Sequence, residues 1–362
     1  MNYLQRVLIT AHPEFLGAAL DEMRRLEPEL LIHAELTPEI ALVEVPNVEA
    51  LARRIAQQHL IFVRHLAPVQ AQVTLDGTLN DIATLALTAA DLPTFSVLER
   101  GQRFAVQTRL VHAPEEQARR LYTGGRVNQE LAAAIAEETG AVELIKRPRL
   151  VLSILCTPTT GYLGISSAQE NLSDWPGGAR HFAQTPEQIS RAEFKLLEAL
   201  EVFGLTLPAG GRALDLGAAP GGWTRLLLEA EMSVVAVDPA HLDPRLKSAR
   251  GLEHYQGYAE NYLEEAIKRR YSFDVIANDM RMDARDAARL LARAAPCLRH
   301  DGIVISTLKL PHAAPELDPV RVMGEALKIL DRAFAVVQAR QLFHNRQEVT
   351  VVAAQPRNAR RI

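Results

Sequence analysis

Apolar and polar positions change rhythm twice along the chain. Between residues 6 and 75 short apolar runs alternate with amphipathic stretches: Val7-Leu8-Ile9 predicts a strand, and Leu16, Ala19, Leu20 and Met23 share one face of a helix. Ile40-Ala41-Leu42-Val43 predicts a second strand, and Asn47 is placed to cap a helix that turns Val48, Leu51, Ala52 and Ile55 inward. Ile61-Phe62-Val63 predicts a further strand after it. This order suits a ferredoxin-like α+β domain over residues 1–75. Residues 76–168 predict a second unit, with a strand at 104–108, a helix near 127–138, and a hairpin of 150–155 with 162–165 joined through Pro158-Thr159-Thr160-Gly161. Residues 169–189 then turn polar and rich in breakers, with Asp174-Trp175-Pro176-Gly177-Gly178, and predict a linker.

From residue 190 apolar strands alternate with amphipathic helices, as in a parallel sheet covered on both faces. Ser190-Arg191-Ala192-Glu193 has the spacing of a capping box opening a helix through Phe194, Lys195, Leu197 and Leu200. Strands are predicted at 212–216, 233–237, 273–277 and 302–306, and segments 334–338 and 349–353 predict an antiparallel pair at the sheet's end. The fold class is therefore α/β over residues 190–362, a doubly wound sheet with a terminal antiparallel hairpin, preceded by an α+β region.

Composition narrows the class. The chain has 362 residues, 48 % apolar and 23 % charged, which suits several globular domains and excludes a disordered or fibrous chain. Cys156 and Cys297 stand far apart with no Cys/His cluster, so neither a disulfide framework nor a zinc site is expected, and no metal is called for. The N-terminus lacks the apolar core of a signal peptide, and no uncharged run reaches the roughly 18 residues of a spanning helix, which points to a soluble, cytoplasmic protein with no membrane partner. The net charge of -4 means that any polyanion is held by a local patch. Of the 40 basic residues only six are lysines, among them Lys195 and Lys309. Lysine, unlike arginine, can lose its proton within reach of neutral pH.

The densest chemistry lies in Asp215-Leu216-Gly217-Ala218-Ala219-Pro220-Gly221-Gly222-Trp223. An apolar strand ends in an acid, small residues follow, and a helix begins, which places a ligand outside the strand's carboxyl end. Ala219 stands where a dinucleotide fingerprint has its second glycine, and the Gly-Lys-Ser/Thr of a phosphate loop is missing, so a different nucleoside is implied. Asp238 closes the next strand, where an acid accepts hydrogen bonds from ribose hydroxyls. Asp279 and Lys309 also follow strands, which brings both to the same edge.

The loop from Asp215 to Trp223 closely resembles the S-adenosylmethionine loop of the FtsJ-like ribose 2'-O-methyltransferases. Further likeness runs through Ser190 to Leu196, through Leu308-Lys309-Leu310-Pro311, and through Arg340-Gln341-Leu342-Phe343-His344-Asn345-Arg346-Gln347-Glu348-Val349-Thr350-Val351. The last pattern is similar to the M-type branch, which methylates a cytidine of 23S ribosomal RNA and carries an N-terminal THUMP domain. The resemblance implies a Rossmann-like methyltransferase sheet, a THUMP-like RNA-binding domain over residues 76–168, and S-adenosylmethionine as cofactor. It also implies a catalytic tetrad of Lys195, Asp279, Lys309 and Glu348, with Lys309 as the base that takes the 2'-hydroxyl proton. Asp215, Gly217, Ala219, Pro220, Gly221, Gly222, Trp223, Asp238, Tyr258 and Asp279 are the implied cofactor residues. Two positions depart from the family: Tyr258 stands near where an acid usually reads the adenine, and Ala192 replaces a serine.

Base N-methylation wants an Asp/Asn-Pro-Pro-aromatic platform at the fourth strand, and Asn278-Asp279-Met280-Arg281 offers none. Cys297 falls in a helical pattern with Leu290, Leu291, Ala294 and Leu298, which suits an inert buried thiol better than a nucleophile. RNA is the expected partner, with Arg119-Arg120, Lys146-Arg147-Pro148-Arg149, Lys268-Arg269-Arg270 and Arg357-Asn358-Ala359-Arg360-Arg361 as candidate patches. The alternative reading is a ribosome-assembly factor that binds RNA and has lost catalysis. Oligomeric state is not legible in the residues.

Overall fold

The computed structural model describes residues 4–58, 60–111, 120–314 and 317–357. The chain divides into two compact units, Met1–Arg180 and His181–Ile362, and the division falls inside the stretch expected as a linker.

In the first unit the strands Leu31–Thr37, Ile40–Val45, Gln5–Thr10 and His65–Val69 lie in that order in an antiparallel sheet, with helices Leu16–Leu26 and Val48–Gln57 between them in sequence. This is the ferredoxin-like order of elements. Asn47 caps the second helix, its Oδ1 accepting from Ala50 N at 2.8 Å. The strand expected at 61–63 is displaced: the ladder begins at His65. The amides of Ile61 and Phe62 donate instead to the carboxylate of buried Glu22, so Phe62 is core without being sheet while Ile61 is half-buried. A second sheet orders Ala71–Thr74, Thr160–Ser167, Leu150–Cys156, Arg103–Leu110 and Val142–Glu143. Helices Asn80–Ala90 and Gly124–Thr139 contribute Leu85, Val127 and Leu131 to a core shared with Phe104 and Leu152 of the sheet. The hairpin of Leu150–Cys156 with Thr160–Ser167 forms as expected.

The second unit carries the alternating elements. Helix α1 (Glu193–Val202) precedes β1 (Arg212–Leu216), α2 (Gly222–Glu229), β2 (Ser233–Val237), β3 (Leu252–Tyr255) and α3 (Ala259–Arg269). There follow β4 (Phe273–Asn278), α4 (Ala284–Ala294), β5 (Leu298–Lys309), α5 (Pro319–Ala333), β6 (Phe334–Arg340) and β7 (Glu348–Pro356). The sheet order is β3-β2-β1-β4-β5-β7-β6, parallel through β5 and antiparallel over the last two strands. This is a Rossmann-like sheet closed by a hairpin whose later strand inserts next to β5. Leu196, Ala213, Leu227, Val234, Val275 and Ile305 pack into one core, which explains why the parallel strands read as unbroken apolar runs.

Only half of the expected capping box is made. Glu193 Oε1 accepts from Ser190 N at 3.4 Å, and from Ile189 N at 2.6 Å, while Ser190 Oγ is buried without a hydrogen-bond partner. The reason is local: residues 190–192 form a turn, the helix starts at Glu193, and Ser190 stands too far ahead to cap it.

Candidate active site

All parallel strands of the second unit end on one edge, and four charged side chains meet there. Lys309 on β5 pairs directly with Glu348 on β7, so both project from the same face of the sheet. Asp279 follows the last residue of β4, and Lys195 reaches in from α1. Lys195 Nζ lies 3.2 Å from Asp279 Oδ1 and 2.7 Å from Glu348 Oε1. Lys309 Nζ in turn bonds both Asp279 Oδ1 and Glu348 Oε2. Each ammonium thus touches both carboxylates, and the four close into a ring of alternating sign and zero formal charge.

Electrostatics fixes who holds a proton. Burial alone would lower the pKa of Lys195, but the adjacent Asp279 and Glu348 carboxylates outweigh it and hold the ammonium above its usual range. Burial would likewise raise Asp279, and Lys309 with Lys195 overrides it, so its carboxyl sits below the ordinary range. Lys195 therefore holds its proton within the ring.

Sequence reasoning missed three supports. Thr307, fully buried and two residues before Lys309 on the same face of β5, accepts from Lys309 Nζ at 2.6 Å and donates to Asp279 Oδ1. Glu198, one turn past Lys195 and 2 % exposed, accepts from Phe343 N and His344 N, each at 2.8 Å. Asn345 Oδ1 accepts from Leu342 N and from Thr350 Oγ1, both at 2.9 Å. The helix that delivers Lys195 thereby also grips the loop that delivers Glu348. The only advance signal for Thr307 was its spacing of two from a strand lysine.

The loop after β1 lies on the same edge. Gly217 N donates to Val237 O at 2.9 Å, and Asp238 accepts from Ala219 N at 3.1 Å and Ala240 N at 2.8 Å, one bond on each oxygen. Each oxygen keeps a free lone pair, which suits two neighbouring ribose hydroxyls. Tyr258, 65 % exposed where the chain leaves β3, presents a flat ring for a base to stack on. Gly217, Ala219, Pro220 and Asp279 are also open or half-open at this edge. These groups fit a nucleoside.

The other expected cofactor residues are placed beneath the loop. Asp215 is buried and accepts from Thr224 Oγ1 at 2.6 Å; burial pushes its carboxyl up to about 7, against the lowering bond from Thr224. Trp223 is buried and its Nε1 donates to Ala192 O at 2.8 Å, tying the loop to the turn before α1. Gly221 and Gly222 are buried too, and Gly221 has φ 115° with a Cβ position only 2.3 Å from Leu246 Cδ1. The glycine there makes room for the chain's own packing.

Burial pushes the Cys297 thiol up to about 11, which fits an inert core residue. Among the described residues no group of three or more His, Cys, Asp or Glu is arranged to hold a metal ion. Of the candidate patches, Lys146, Arg147 and Arg149 are exposed. Arg120 is spent on Val111 O and Cys156 O, each at 3.0 Å, and so is not a solvated patch. Lys268-Arg269-Arg270 ends α3, about 16 Å of helix away from the strand-end edge where that helix starts, and so does not border the ring. Arg119 and residues 358–361 lie outside the described residues.

Comparison with known proteins agrees with this geometry. Residues 188–334 match the FtsJ-like methyltransferase family. The chain is 35 % identical over 187 residues to the ribosomal RNA large subunit methyltransferase M of Halorhodospira halophila, covering 49 % of this chain and 51 % of that protein. It is 28 % identical over 327 residues to the Aeromonas hydrophila protein of the same name, covering 86 % and 84 %. The matched stretch thus spans about half the length of the first of these relatives. Among solved structures, TrmN from Thermus thermophilus aligns over 97 % of this chain and 99 % of its own at 18 % identity, with a TM-score of 0.39. The strand order and the loop after β1 agree with the match over residues 188–334, so the second unit is similar to an FtsJ-like methyltransferase domain.

Proposed function

We propose that the chain is an S-adenosylmethionine-dependent ribose 2'-O-methyltransferase acting on a cytidine of 23S ribosomal RNA. The closed ring of Lys195, Asp279, Lys309 and Glu348 beside the nucleoside-shaped edge is the observation that carries it. When bound, S-adenosylmethionine supplies a methyl group already activated by its sulfonium. Asp238 would hold its ribose and Tyr258 its base, with Gly217, Ala219 and Pro220 along the backbone edge. The protein's task is then to orient a sugar hydroxyl and take its proton.

Lys309 is the base in this reading. Its Nζ has three acceptors within reach, Asp279 Oδ1, Thr307 Oγ1 and Glu348 Oε2, so an ammonium has all three protons engaged. The amine form frees one position on nitrogen, and the 2'-hydroxyl proton moves there. Lys195 keeps its own proton and supplies positive charge, while Asp279 and Glu348 orient both amines. Residues 76–168 would act as a THUMP-like RNA-binding module beside a ferredoxin-like domain over residues 1–75. A cytoplasmic place of action follows from an RNA acceptor; among the described residues no helix is long and apolar enough to cross a membrane.

The test is transfer of a labelled methyl group from S-adenosylmethionine to ribosomal RNA from cells lacking the enzyme. Label in an alkali-resistant dinucleotide is the expected result. RNA binding without any labelled ribose would instead favour an assembly factor that has lost catalysis.

A further inference from the structure

Three arginines stand within a few residues of ring members, and among the described residues none of them pairs with a carboxylate. Arg281 follows Asp279 by two residues and Arg346 precedes Glu348 by two, so each backbone lies within about 7 Å of chain from a ring member. Arg191 stands in the turn that opens α1, where its carbonyl accepts from Phe194 N at 3.2 Å, one turn ahead of Lys195. All three are exposed, and no ion pair or hydrogen bond of their side chains occurs among the described residues. Several other guanidinium groups of this unit are paired with acids, including Arg225 with Glu193, Arg245 with Asp243 and Arg285 with Asp283. The same pairs consume acids that would otherwise cancel charge at this edge, and Asp238 is bonded to two backbone amides. The result is a ring of zero formal charge whose neighbours in sequence include three exposed arginines without a carboxylate partner among the described residues.

That pattern suits a neutral hydroxyl presented on a polyanionic strand. We propose that Arg191, Arg281 and Arg346 grip phosphodiester groups of single-stranded RNA flanking the acceptor ribose; the assignment of the acceptor rests on the methyltransferase reading above. Guanidinium binds phosphate oxygens in pairs, so the three contacts fix where the strand lies without reading its bases. They would leave sequence choice to other surfaces and position the hydroxyl against Lys309.

The experiment compares the parent with an R191Q/R281Q/R346Q variant, using fluorescence anisotropy of a short single-stranded oligoribonucleotide across a range of salt concentrations. Each phosphate contact to single strands contributes about 0.7 to the slope of log affinity against log salt, so the variant's slope is expected to shrink by about 2. Affinity at low salt falls about tenfold or more, the loss in methyl transfer falls on the KM for RNA, and S-adenosylmethionine affinity and the thermal midpoint hold. Lysine at the three positions restores the slope, because charge rather than shape is read. A slope equal to the parent's overturns the proposal, and R346Q alone, with an expected change of about 0.7, decides it should the triple variant unfold. A parent that transfers no methyl to ribose would overturn the acceptor assignment, whereas the slope still decides whether these arginines hold a phosphate backbone.

Discussion

Thr307 Oγ1 lies 2.6 Å from Lys309 Nζ and passes its own proton toward Asp279 Oδ1. The hydroxyl links the Lys309 amine and the Asp279 carboxylate through one buried group, and its bonds to charged partners are worth about 1.5–3 kcal/mol each. Thr307→Val keeps the shape and removes the link. Turnover is expected to fall about tenfold to hundredfold and the ascending limb of the pH–rate profile, along which the base sheds its proton, to move, while Thr307→Ser restores both. Unchanged pH–rate curves in the valine variant would show that the hydroxyl only fills space.

Lys309→Arg keeps the positive charge of the ring but replaces a group that can shed its proton with one that cannot. Methyl transfer is expected to vanish while S-adenosylmethionine still binds, as read by calorimetry alongside a transfer assay. Substantial transfer by this variant would remove Lys309 from the role of base.

Gly221 has φ 115°, and a Cβ there would stand 2.3 Å from Leu246 Cδ1. Gly221→Ala therefore meets both a backbone penalty and a clash, together about 1–3 kcal/mol of strain focused on the loop after β1. Donor affinity is expected to drop more than the thermal midpoint. Equal donor affinity would mean that the loop's path does not govern binding.

Asp215 titrates from a folded value of about 7 against an ordinary 3.8. The folded state holds this proton more tightly than the unfolded chain, so the group's contribution to stability declines as pH rises from about 4 to 7 and is level above that. Asp215→Asn abolishes the decline. Relative to the parent, the variant's urea midpoint is expected to climb across that interval, by an amount equivalent to at most about 4 kcal/mol. Parallel pH curves for the two proteins would contradict it.

Much of this was legible because neighbouring residues encode it. Strands 212–216 and 233–237 fall where their unbroken apolar runs predicted them, and the four ring residues stand at strand ends or a helix start that periodicity already located. What escaped depended on partners distant in sequence. Ile61 and Phe62 looked like a strand because nothing nearby reveals that Glu22, about forty residues earlier, takes their amides. Ser190 looked like a cap until the helix start moved to Glu193. Glu198 read as an ordinary helix position because its acceptors' partners, Phe343 and His344, lie over 140 residues further on.

The insertion of β7 between β5 and β6 also dictates when the ring of four charges can close. Glu348 reaches the two lysines only after the hairpin has been synthesised and its later strand has threaded into the gap beside β5. Pairing segments so distant in sequence is slow compared with local helix formation. A growing chain can therefore complete the first five strands of the sheet, and the edge where they end, before the ring of four charges exists.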